Sequence, residues 1–371
     1  MKLLKILLLL LCSLYIYSFP LWAASILINT NVLNVRHQPE GNKIGRVFYG
    51  QQFRLLEQKK GWGKIPFRFD KYGWVSLQYT RPVAKGHAVS NLAQFCQQVN
   101  QEFDRLQWKD VRCRPTAWQA EFYSVQGKPL LYSSFGQGRP TSLLLCGIHP
   151  DEHTPYQCFR LFGLLQQDPD LLNHRLVIAP LVNPDRFLRK RKTRTNTRGV
   201  DLNRNLPTRD WRTLALRTWK HRYRSDKRRY PGPNANSEPE NQFVIDLIQR
   251  FNPDKVISIH APYDFLDLDY LDGFKKTTIE NKVYQKAKVL ALKFSKESKF
   301  TFLNYRTFPG SLGRYGNEWK IPIYTLELPS SNPAKSQAYF RRFRHSLIHS
   351  FNVILGTHRT AKLEKSSDSS F

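Results

Sequence analysis

The sequence predicts an α/β catalytic domain on a mixed sheet, preceded by a small all-β barrel, and three observations carry that expectation. Three short apolar, β-rich runs, Ser142–Cys146, Lys255–Ile259 and Ile323–Leu326, read as buried strands of a mixed or parallel sheet. Each is followed within a few residues by side chains capable of chemistry: His149 and Glu152, then His260, then Glu327. Residues 26–84 instead alternate apolar and polar positions between turn signals, most clearly in Leu33-Asn34-Val35-Arg36, Gly61-Trp62-Gly63-Lys64-Ile65 and Gly73-Trp74-Val75-Ser76.

The remaining elements follow in chain order. Lys2 and Lys5, the apolar run Leu3–Tyr17 and the small residues Ala23-Ala24-Ser25 read as a secretory signal peptide over residues 1–25. Trp22 near the cleavage zone keeps an uncleaved membrane anchor as the alternative, and a membrane is expected as a partner only in that case. Residues 85–120 form a helical bridge whose Leu92, Phe95, Val99, Phe103 and Leu106 recur at helical spacing and are expected to pack on the catalytic domain, residues 121–358. The polar tail 359–371, with Lys365-Ser366-Ser367-Asp368-Ser369-Ser370, is expected to be disordered. Of the cysteines beyond the leader, Cys96 and Cys113 are the favoured pair in an exported chain, and Cys146 and Cys158 read as buried thiols.

Ligands of open α/β sheets bind at the carboxyl ends of strands, so the four polar residues that follow the three predicted strands should converge. Two histidines and one carboxylate make a catalytic zinc site with a position left for water. His149, Glu152 and His260 meet that specification, with one zinc per chain. Glu327 is then the unligated carboxylate that takes a proton from the water and passes it to a leaving amine.

These residues lie within a longer series: Gly147-Ile148-His149-Pro150-Asp151-Glu152, Asn183-Pro184-Asp185, Arg194-Thr195-Asn196 running into Gly199-Val200-Asp201-Leu202-Asn203-Arg204-Asn205, Ser237-Glu238-Pro239-Glu240, His260-Ala261-Pro262 and Thr325-Leu326-Glu327-Leu328-Pro329. In order and spacing, over roughly residues 90 to 355, the series resembles the zinc carboxypeptidase family. Asn205–Trp211 and the acidic loop after His260 most resemble its murein peptide amidase branch, which cuts the γ-D-glutamyl to meso-diaminopimelate bond of peptidoglycan peptides. The resemblance implies that Arg194 polarises the scissile carbonyl and steadies its oxyanion, and that Asn203 and Arg204 hold the substrate's terminal carboxylate. Residues 26–84 resemble a bacterial SH3 domain, which implies cell-wall binding.

Some positions leave alternatives. Arg186 stands where the family has glycine, and Arg191 and Arg198 compete with Arg194, which is favoured by its spacing to Asn203. The substrate-capping tyrosine is Tyr305 or Tyr315. Any of Asp264, Asp267, Asp269 and Asp272 could read the free amine of diaminopimelate, or serve only as a solvated turn.

The formal charge of +29 becomes 29 − 2 = +27 without Lys2 and Lys5, and seventeen of the 58 Lys and Arg residues lie between Arg186 and Arg229. Such a field concentrates acidic ligands. Nucleic acid is not expected as a partner, because no zinc finger, RNP aromatic pair or basic zipper accompanies the charge. The expectation is therefore an exported, periplasmic or envelope-associated zinc hydrolase acting on peptidoglycan peptides or muropeptides. A broader carboxypeptidase for ordinary peptides and a noncatalytic wall-binding protein are the alternatives.

Overall fold

In the computed structural model, which describes residues 25–30, 32–48, 51–68, 71–83, 86–269 and 278–356, short strands fill the first of two units, 1–87 and 88–371. The predicted leader apart from Ser25, Asp272 and the tail lie outside the described residues. The strands are β1 (Ser25–Ile28), β2 (Val32–Arg36), β3 (Lys43–Phe48), β4 (Gln52–Arg54), β5 (Glu57–Lys59), β6 (Trp62–Arg68), β7 (Lys71–Ser76) and β8 (Thr80–Val83). They pair as two sheets, β4-β1-β8 and β3-β2-β7-β6-β5. Alternation along β2 sends Leu33 and Val35 inward, where they join Ile26, Ile28, Val47, Ile65, Val75 and Leu77 in one core. Gly73 is required there, since a Cβ would lie 2.1 Å from a Val35 methyl.

The second unit is built on an eight-stranded sheet. Its strands are β9 (Gln119–Tyr123), β10 (Pro129–Phe135), β11 (Thr141–Leu145), β12 (Arg175–Ala179), β13 (Lys255–His260), β14 (Phe265–Leu268), β15 (Thr301–Leu303) and β16 (Ile323–Glu327), in the order β15-β14-β16-β13-β11-β12-β10-β9. The central four, β12, β11, β13 and β16, are parallel, and antiparallel pairing begins outward at β10 and β14. Every residue of β11 and β13 is buried, which explains their near-continuous apolar composition.

Six helices of eight residues or more accompany the sheet among the described residues: α1 (Gly86–Arg105), α2 (Pro155–Gln167), α3 (Pro239–Phe251), α4 (Thr278–Ser298), α5 (Leu312–Trp319) and α6 (Ser336–Asn352). Leu92, Phe95, Val99 and Phe103 of α1 enter the main core, where the Phe103 ring meets Trp108, Phe159 and Phe187 at centroid distances of 5.0 to 6.4 Å. No helix among the described residues is long and apolar enough to cross a membrane.

Two disulfides close short loops, with Cys96 bonded to Cys113 and Cys146 to Cys158 across sequence separations of 17 and 12. Sequence reasoning favoured only the first pair and treated Cys146 and Cys158 as thiols. What it could not see is that the start of α2 returns to the end of β11 and brings their Cα atoms to 6.2 Å. In the chain-entropy account, a closed loop of this size is worth roughly 3 kcal/mol.

Candidate metal centre and catalytic site

β11 ends at Leu145, and the chain leaves it through Gly147, whose φ of +67° and tight approach to Leu181 and Pro155 suit only glycine. The next residues deliver His149 and, after one turn at Pro150–Glu152, the Glu152 carboxylate. His260 ends β13, and its Cα pairs with that of Glu327 at the end of β16. The parallel register therefore sets a candidate ligand beside the candidate base.

His149, Glu152 and His260 are all buried, with their ligand atoms grouped within 4.8 Å. His149 Nδ1 lies 2.7 Å from Glu152 Oε1 and 3.1 Å from His260 Nδ1, which is 2.8 Å from Glu152 Oε2. The outer ring nitrogens are engaged elsewhere, His149 Nε2 with Asp201 at 3.1 Å and His260 Nε2 with Ser258 Oγ at 2.9 Å. With the neutral rings protonated on those outer nitrogens, three lone-pair donors face one point with no hydrogen between them. A metal ion satisfies such a set, and two nitrogens with one carboxylate oxygen fit zinc.

Burial alone would raise the Glu152 carboxyl, but the two histidine rings hold it well below the usual carboxylate range. Arg194 supports it further, its Nη1 donating to Glu152 Oε1 at 3.1 Å and its Nε to Asp201 Oδ2 at 2.9 Å. Burial opposes the guanidinium charge, yet Asp201 and Glu152 keep it firmly protonated. Arg186 instead donates to the Asn196 carbonyl, Arg198 to Ser237, and Arg191 is exposed. Among the four arginines, Arg194 is the one that reaches the cluster.

Asp201 was missed as a functional residue, because an aspartate amid turn residues reads as loop polarity. It is fully buried, accepts from Arg194 and from Asn203 N, and orients His149. Its only sequence signal is its position two residues before the Asn203-Arg204 pair.

Asn203 Oδ1 accepts from Leu312 N at 2.8 Å, which turns the amide NH₂ the other way. Arg204 is 8% exposed, lies over the Phe308 ring at 4.7 Å, and has a buried Nε with no hydrogen-bond partner. Its carbonyl accepts from Trp211 Nε1 and lies 2.0 Å from where a Cβ on Gly310 would stand, so the backbone crossing there requires glycine. A buried guanidinium with a vacant donor suits an incoming carboxylate.

Glu327 is buried, and its Oε2 has no hydrogen-bond partner. Burial is the main cause that pushes its carboxyl up to about 7, with His260 opposing. The loop bearing Arg194 is organised by Asn196, whose Oδ1 accepts from Arg198 N and Val200 N and whose Nδ2 donates to Glu238 at 2.6 Å and Glu240 at 3.2 Å. Burial and the neighbouring Glu238 carboxylate push Glu240 up to about 8.

Tyr315 is buried in α5, whereas Tyr305 is 56% exposed, with its ring 5.8 Å from that of Phe265. In the acidic loop, Asp264 pairs with Arg342 at 2.8 Å, Asp267 accepts from Tyr305 N, and Asp269 accepts from Thr325 Oγ1. Burial and then Asp267 raise Asp269 well above the usual carboxylate range.

Comparison with known proteins agrees with this geometry. The family model described as zinc carboxypeptidase matches residues 122–312, and that of the bacterial SH3 domain matches residues 31–81. Murein peptide amidase A of Vibrio campbellii is 31% identical over 209 residues, covering 56% of this chain and 77% of that protein. The Escherichia coli K12 protein of the same name is 28% identical over 222 residues, covering 58% and 84%. Among solved structures, bovine thrombin-activatable fibrinolysis inhibitor in complex with tick carboxypeptidase inhibitor shares the fold at a TM-score of 0.51 and 19% identity, covering 69% of this chain and 93% of that one.

Two outcomes are expected. Asp201→Asn should weaken zinc binding about tenfold or more in a competition titration with a chromophoric chelator, since it removes the partner that orients His149. For Glu240, the native state keeps a proton up to about pH 8 that the unfolded chain releases near pH 4.3, so this residue's contribution to stability falls as pH rises between those values. Glu240→Gln should therefore flatten the decline of Tm between about pH 5 and pH 8, as measured by calorimetry.

Proposed function

The chain belongs to the zinc carboxypeptidase family and is a hydrolase, and on that premise we propose that it cleaves peptidoglycan peptides before a residue carrying a free carboxylate. The observation that carries this reading is the buried Arg204 with its unpartnered Nε, beside Asn203. The curated relatives named murein peptide amidase A favour the γ-D-glutamyl to meso-diaminopimelate bond as the one cut. The acidic pair Asp267 and Asp269 is suited to the second amine of diaminopimelate, and the exposed Tyr305 to capping the bound peptide.

His149, Glu152 and His260 would hold one zinc ion, which supplies Lewis acidity toward water and the amide carbonyl. Glu327, with a free oxygen in a water-poor setting, takes the proton of the attacking water and returns it to the leaving amine. Arg194, fixed by Asp201 and Glu152, presents positive charge to the oxygen that becomes negative as the carbonyl is attacked. Arg204 and Asn203 hold the terminal carboxylate and so set the scissile bond in register with Glu327.

Eight exposed cations lie between Arg209 and Arg228 against Asp210 and Asp226 in the same stretch. Arg228 of this segment pairs at 3.0 Å with Asp151, which sits between His149 and Glu152. The stretch therefore borders the site and favours approach of anionic substrates. The SH3-like unit and the relatives named murein peptide amidase A support a role in the cell envelope, reached by export through the leader-like segment 1–25. Two disulfides fit an oxidising compartment.

Mass spectrometry of purified disaccharide-tripeptide digested with and without chelator tests the reading. Release of diaminopimelate only in the metal-loaded sample is expected, and release of C-terminal residues from ordinary peptides at equal efficiency would favour the broader carboxypeptidase. Glu327→Ala should retain zinc at wild-type stoichiometry while turnover falls by roughly 10²–10⁴. The kcat/KM for an anionic muropeptide should drop with added salt. Replacing Lys220, Arg224 and Lys227 by glutamine should flatten that dependence through KM, with kcat unchanged.

A further inference from the structure

The segment that supplies two of the three candidate ligands is closed by a covalent bond at its ends. Cys146 directly follows β11 and is tied to the sheet, its N–H donating to the Ala179 carbonyl and its carbonyl accepting from Val182 N, each at 3.0 Å. Cys158 is fully buried at the end of the first turn of α2. Between them lie His149 and Glu152, and the bond joins the strand before the loop to the helix after it.

Inside that span, regular structure is scarce. One turn covers Pro150–Glu152, His153 turns the chain back at a φ of 54°, and the internal ties include Glu152 N to His149 O at 3.2 Å and Gly147 N to Thr154 Oγ1 at 2.9 Å. Before metal arrives, the inward-facing atoms hold together only through a proton shared between a ring nitrogen and Glu152, and metal binding displaces that proton. A metal site tolerates errors of only about 0.2 Å in its ligand distances. Without a cross-link, the cost of assembling such a loop falls on metal binding.

We propose that the Cys146–Cys158 disulfide is the positioning device of the metal centre, which holds His149 and Glu152 in place for zinc before zinc is bound. This rests on the reading of His149, Glu152 and His260 as the metal ligands. Cys96–Cys113 provides an internal control, since it closes a loop of similar size whose intervening residues include none of the three.

The test is the zinc dissociation constant of the full-length protein, measured by chelator competition, together with Tm. Wild-type protein should bind one zinc, and His149→Ala should abolish that binding. If wild type binds no zinc, or His149→Ala binds as wild type does, the ligand assignment fails and the proposal with it. With the assignment standing, Cys146→Ala/Cys158→Ala should bind zinc about ten- to a hundredfold more weakly, the range seen when groups that hold metal ligands in place are lost. Cys96→Ala/Cys113→Ala should lower Tm while its zinc affinity stays within about twofold of wild type.

Equal zinc affinity in the Cys146/Cys158 variant and wild type would overturn the proposal, as would equal weakening in both variants. Cys146→Val/Cys158→Ala, which restores apolar volume, serves if the double alanine variant does not fold. Failure of both to fold while the Cys96/Cys113 variant folds would assign the bond to the sheet as a whole, and would also overturn the proposal.

Discussion

The constraint on which the catalytic unit depends is the convergence of three buried ligand-type groups, His149 Nδ1, the Glu152 carboxylate and His260 Nδ1, on one point. Burying these groups together costs free energy, since each has given up water and their hydrogen-bonding capacity must be met inside the protein. The surrounding structure makes it persist. Strand ends place the residues, Asp201 and Ser258 occupy the far nitrogens, and Arg194 neutralises part of the carboxylate charge.

Asp201 links the two halves of the site. One oxygen faces His149 and the Asn203 amide, and the other takes Arg194, so the proposed metal ligand, the proposed oxyanion-facing arginine and the proposed carboxylate-binding pair share one buried anion. Behind it, Glu238 and Glu240 hold Asn196, which shapes the loop carrying Arg194. Buried carboxylates thus form a graded series. Asp201 and Glu152 are kept ionised by cations and rings beside them, while Glu240, which shares a donor with another acid, is driven toward neutrality.

Much of the architecture could be read from the chain because it rests on short-range rules. Buried parallel strands need continuous apolar runs, so β11, β13 and β16 announced themselves, and the convergence of the residues that follow them is a consequence of topology. The alternation of the first unit was legible for the same reason. What escaped depends on three-dimensional return of the chain. The Cys146–Cys158 bond needs the start of α2 to return to the end of β11, and Asp201 acquires a role only when His149 and Arg194 reach it from separate loops. Tyr305 and Tyr315 could not be separated by residue type, whereas burial distinguishes them at once.

The pairing of His260 with Glu327 at the ends of β13 and β16 has an evolutionary corollary. A one-residue slip in either strand would turn its terminal side chain to the opposite face of the sheet and undo core packing with it. Chemistry and fold are therefore inherited together, and insertions or deletions are tolerated only between strands.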